Sequence, residues 1–138
     1  MFIVAVVIAF LLGHSHHTTV ATGRRAEHLI AAGASVAAAD HLAQVAGDLE
    51  DRFGPGTADD AVDAMIVMCG HQVAGDEDVD LLRHLGLNAA ERAEVVAAVG
   101  GEGLIREGGV SGAQVAVAGA EVAERRSAAF AAAVARLP

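Results

Sequence analysis

The chain has 138 residues, the length of one domain, and 54% of them are hydrophobic, enough to bury a core and far from the composition of a disordered chain. Nine basic against eighteen acidic side chains leave a net charge of -9, which repels a phosphate backbone and argues against a nucleic-acid partner. Every basic residue is arginine, so a Walker A lysine and a Schiff-base lysine are both excluded. Tryptophan and tyrosine are absent, which removes the usual stacking platforms for bases and sugars. Cys69 is the single cysteine. It rules out an intrachain disulfide and a cysteine-based zinc ribbon, and nothing demands an oxidising compartment, so a cytoplasmic setting is expected.

Phe2 to Leu12 form an unbroken apolar run, with no formal charge before Arg24 and Arg25. A signal peptide would carry a basic start, and a membrane span needs ~20 apolar residues, more than this run offers. Extending the run to Thr22 draws in His14, His16 and His17. The segment 2–12 is therefore read as a core element, either a helix apolar all round or a β-branched strand. Membrane contact through it is the lesser alternative.

Beyond Thr22 alanine dominates, and apolar residues fall at helical spacing between glycine stops. One helix is expected from Arg24 to Ala32, ending at Gly33. A second starts after Ser35, a good N-cap, carries Leu42, Val45, Leu49 and Phe53 on one stripe, and stops at Gly54-Pro55-Gly56. Thr57 is expected to cap a third helix, with Asp59 and Asp60 at the positive end of its dipole and Val62, Met65, Ile66 and Cys69 facing the core. A short piece from Asp76 to Leu85 closes at Gly86. Asn88 with Glu91 predicts a capping-box start for a fifth helix that ends at Gly100-Gly101. The segment 100–112 holds six glycines in thirteen residues and reads as one long loop. A last helix runs from Ser111 to Leu137, with Glu121 and Arg125 as an i,i+4 pair.

Imidazole is the commonest side-chain ligand for transition metals, which singles out His14, His16 and His17. On a helix His14 and His17 share a face, with His28 three turns further along it; on a strand His14 and His16 share one. Apolar runs closed by Gly-His recur at Gly13-His14 and Gly70-His71, so His71 joins the candidates if both runs are adjacent strands. These five histidines form the candidate metal set, for a divalent transition ion. His41, Asp48 and Arg52 share a helix face and read as a solvated boundary. Asp76, Asp78 and Asp80 match the first calcium-loop ligands, but Leu81 and Leu87 stand where that loop needs Gly and Glu. Ser111 in Gly109-Val110-Ser111-Gly112-Ala113 departs from a nucleophile elbow and reads as a helix cap. Cys69, among Ile66, Val67 and Met68, reads as a buried structural thiol. Gly47-Asp48 stands where helical HD-type metal phosphohydrolases carry their defining His-Asp pair, so that family is set aside.

The expectation is thus a single all-α domain over 1–138, a compact bundle of five or six Ala-rich helices. The alternative is an α/β layer with strands near 2–12 and 64–69. Functionally the chain reads as a non-catalytic helical interaction or subunit protein. It would associate through apolar surface, including its N-terminal segment, as a homo-oligomer or on a protein partner. The competing expectation is a small metal-dependent enzyme or metal-binding protein built on the histidine cluster.

Overall fold

The structure, a computed structural model, describes residues 20–138. The run 2–12 and His14, His16 and His17 lie outside the described residues. Helix α1 covers residues 20–31. It is followed by α2 (Val36–Phe53), α3 (Thr57–Gly70), α4 (Asp76–Leu81), a 3-10 turn (Leu82–Leu85), α5 (Ala89–Ala98), α6 (Glu102–Arg106) and α7 (Gly112–Ala135). The fold is all-α, and no strand occurs among the described residues. The α/β alternative fails at 64–69, because those residues sit inside α3, where Met65 and Met68 are fully buried at helical spacing.

Local chemistry sets most of these boundaries. Ser35 Oγ accepts the Ala38 amide at 3.2 Å to start α2, and Gly54 and Gly56, at φ of 96° and 90°, turn the chain back in a conformation that favours glycine. Asn88 and Glu91 exchange hydrogen bonds of 2.9 and 3.0 Å as a reciprocal cap of α5. Ser111 and Gln114 do the same for α7. Thr57 departs from expectation. It lies within α3, whose cap is Gly56, and its hydroxyl donates back to the Gly54 carbonyl at 2.9 Å.

The glycine-rich stretch is also not one loop. It contains α6, because Ile105 is buried and anchors a helical turn. Leu104 is clasped on either side by glycines: a Cβ at Gly100 or Gly109 would come within 2.4 or 2.5 Å of its methyl groups. Among the described residues the helix count therefore exceeds five or six, through a short piece that periodicity cannot detect.

Helices α2, α3 and α7 pack mutually, with α5 and the 3-10 turn against α7. Leu29, Leu42, Leu49, Met65, Met68, Leu82, Leu85, Val95 and Val115 are fully buried at their centre. Alanines and glycines between them let the backbones approach. At Gly119 a Cβ would meet a Leu82 methyl at 2.4 Å, so the 3-10 turn nests directly on α7.

Candidate functional site

The described surface has two unusual places, at opposite ends of the sequence logic. The first is the far end of α7. Its buried residues stop at Ala123, and residues 128–138 are all exposed. The stretch from Ala128 to Ala135 carries no polar side chain on any face. Phe130 and Val134, one turn apart on the helix, are 59% and 49% exposed, and Leu137, just past its end, is 71% exposed. Phe53, equally exposed, lies at the same end.

Arg52 fixes that geometry. Its guanidinium donates to the Ser127 carbonyl at 2.8 Å and stands over the Phe130 ring at 4.8 Å, so α7 leaves the fold beside the end of α2. The start of α1 lies at this end too, since Arg25 pairs with Glu50 at 2.8 Å and a groove is lined by Ala21, Arg24, Asp59 and Asp63. Arg125 bonds Glu94 at 2.7 Å instead of forming the expected pair with Glu121. Arg126 bonds Glu91 at 3.1 Å and also donates to the Gly86 carbonyl.

The second place is the corner between α3 and α4. His71, at the end of α3, brings Nδ1 to 2.8 Å from Asp78 Oδ1 and 3.7 Å from Glu77 Oε1. The other Asp78 oxygen accepts the Gly75 amide at 2.9 Å, and the Asp78 amide donates to the Gly75 carbonyl at 3.0 Å. Asp78 is wholly buried, while Glu77 is exposed. A groove of about 360 Å³ opens beside them, lined by Val67, His71, Glu77, Asp80, Leu81 and Arg83.

Of the histidines singled out from sequence, His28 is exposed on α1, in a groove with Arg24, Arg25, Asp59 and Asp63, and His71 stands at the corner just described. Among the described residues, the one set of three potential metal ligands within mutual reach is His71, Glu77 and Asp78. Sequence reading missed Glu77 and Asp78 as partners of His71. The signal available was Gly75-x-x-Asp78, a carboxylate placed to reach back to the amide that precedes its own helix.

His41, Asp48 and Arg52 make no hydrogen bond or ion pair with one another. His41 Nε2 lies 3.5 Å from Glu124 of α7, and Arg52 turns to Ser127 and Phe130. Burial raises the Asp48 carboxyl above its ordinary range, with Asp51 and Glu124 adding repulsion against the opposing pull of Arg52. The Cys69 thiol is likewise pushed up by burial, in keeping with a structural role.

No family model, curated protein or solved structure matches the chain. No helix of the described residues is long and apolar enough to cross a membrane.

Proposed function

We propose that the protein is a helical interaction module whose copies associate through the end of the bundle from which α7 projects. The observation that carries this reading is that Ala128 to Ala135, apolar on every face, are all exposed. A helix apolar all round is ordinarily buried. Exposed patches of this kind mark association surfaces.

A second copy is the fitting occupant because a bare apolar stripe complements itself across a two-fold axis without any charge pattern to match. An anionic lipid surface would need free basic groups around the stripe. Arg52, Arg125 and Arg126, which flank it, are already engaged within the fold, which leaves Arg136 as a single charge beside the stripe. A stable pair buries about 800 Å² per partner, more than Phe130, Val134, Leu137 and Phe53 provide alone. The apolar run 2–12 precedes α1 in the sequence, and we propose that it supplies the remainder of the interface.

Light scattering on the full chain tests the reading. A dimer or higher oligomer is expected, and Phe130→Asp with Val134→Asp should yield a monomer with an unchanged circular-dichroism spectrum. A full chain that stays monomeric at all concentrations would refute the proposal. So would an oligomer indifferent to those substitutions, or a monomer that floats with phosphatidylcholine vesicles.

A further inference from the structure

We propose that His71, Glu77 and Asp78 form a binding site for one divalent first-row transition ion, zinc being the representative case. Their ligand atoms all lie within 4.8 Å of one another. Neighbouring ligands around an ion with bonds of ~2.1 Å stand roughly 3.0 to 3.4 Å apart in octahedral or tetrahedral arrangements. The observed 2.8 and 3.7 Å from His71 Nδ1 bracket that range, so a small rotation of the exposed Glu77 side chain completes the set. One nitrogen and two carboxylate oxygens suit zinc, manganese, iron or nickel, whereas calcium and magnesium prefer oxygen throughout.

Charge gives an independent reason for a cation. Asp78 is 0% exposed, and a buried carboxylate is costly unless a positive partner balances it. Among the described residues no arginine pairs with Asp78 or Glu77; Arg83 lines the same groove without an ion pair to either. Two carboxylates share one imidazole, which supplies at most a single charge. A divalent ion balances both.

The frame is also rigid before any ion arrives. The His71 amide donates to the Met68 carbonyl at 3.0 Å, and the His71 carbonyl accepts the Gly112 amide at 3.0 Å. The Ala74 amide donates to the Val110 carbonyl at 2.7 Å, so the loop is tied both to the start of α7 and to the segment that precedes it. Gly112 brings α7 so close that a Cβ there would stand 3.0 Å from the His71 Cβ. Gly75, through its amide, fixes the Asp78 carboxylate. Such outer contacts hold ligands ready and account for much of a site's affinity. Three protein ligands leave a position open, and the adjoining groove gives it access to small molecules.

The alternative is that His71 and Asp78 only clamp α3 to α4, and Glu77 separates the two readings. It is exposed, and Glu77→Gln leaves the His71–Asp78 hydrogen bond in place. Zinc titration calorimetry is run on the full chain carrying His14→Ala, His16→Ala and His17→Ala, so that those histidines cannot contribute. We expect one equivalent bound, at least about tenfold weaker binding after Glu77→Gln, and none after His71→Ala. Zinc should raise the melting temperature of the parent and leave that of the His71→Ala protein unmoved. Calcium should bind far more weakly than zinc. No saturable zinc binding, or equal binding by the Glu77→Gln protein with its helix content intact, would overturn the site.

Discussion

The two halves of α7 are nearly alike in composition and opposite in circumstance. From Gly112 to Ala123 the helix is locked into the fold, with Val115, Ala116, Gly119, Ala120 and Ala123 buried. From Ala128 onward every residue is exposed. Both halves are helical because alanine favours the helix whether or not anything packs on it. The buried half uses its small residues to admit neighbours, while the exposed half holds Phe130 and Val134 one turn apart and largely open to solvent, with Arg52 standing over the Phe130 ring. Composition therefore explains the helix, and only the placement of large and small side chains tells packing from projection.

The sharpest way to break the contrast is to add one carbon at the locked end. A Cβ at Gly112 would lie 2.0 Å from the Met68 carbonyl oxygen, a backbone atom in the last turn of α3 that cannot yield without disrupting that helix. Gly112→Ala should cost about 3 kcal/mol, at the upper end of overpacking penalties. Urea denaturation would measure it. Gly119→Ala makes the same chemical change against a softer neighbour, since the Cβ there meets the ends of the Leu82 and Leu85 side chains. Rotamer shifts relieve the clash, and alanine is worth roughly 1 kcal/mol more than glycine in a helix interior. The net cost should be about 1 kcal/mol or less, clearly below that at Gly112. Equal losses at the two glycines would mean that α7 moves as a rigid rod and that the Met68 contact is not special.

At the projecting end the expectation reverses. Phe130→Ala removes a ring stacked under Arg52 and little else, so unfolding free energy should fall by only ~0.5 kcal/mol, the value of an exposed cation–π contact. Self-association should weaken severely in the same variant. A loss of several kcal/mol, measured on monomer at high dilution, would show that the ring belongs to the core and would remove the basis of the contrast.

Much of the fold is legible in the residues themselves. Ser35, Gly54, Gly86, and Asn88 with Glu91 mark helix ends by capping chemistry that acts within a few residues, and the structure places those ends as the sequence predicts. Thr57 reads as a cap and is not one, because Gly56 reaches a left-handed conformation that lets the helix begin one residue earlier. The partners of Arg125 and Arg52 are illegible for a different reason. A helical i,i+4 acid is available to each, yet tertiary packing offers Glu94 to one and the Ser127 carbonyl and Phe130 ring to the other. The His71 corner lies between these cases. Gly75 and Asp78 are tied by a local rule, whereas the approach of His71 depends on how the chain leaves α3, which no periodicity encodes.

The smallest expected effect probes the boundary where the locked half of α7 gives way to the free one. Asp48 on α2 faces Glu124 there, and its carboxyl is raised first by burial, then by Asp51 and Glu124. A carboxyl that ionises less readily in the fold than in the unfolded chain contributes stability that is fully present below its unfolded value and is lost as pH rises through the folded one. At neutral pH the ionised Asp48 therefore works against the fold. Asp48→Asn should raise stability at pH 7 by a few tenths of a kcal/mol, the scale of surface substitutions. The gain should vanish on acidification below the ordinary aspartate range near 3.8. Thermal melts of both proteins across that window would show it. A substitution that destabilises at pH 7 would mean that the attraction of Arg52, the opposing contribution, outweighs burial and repulsion at this junction.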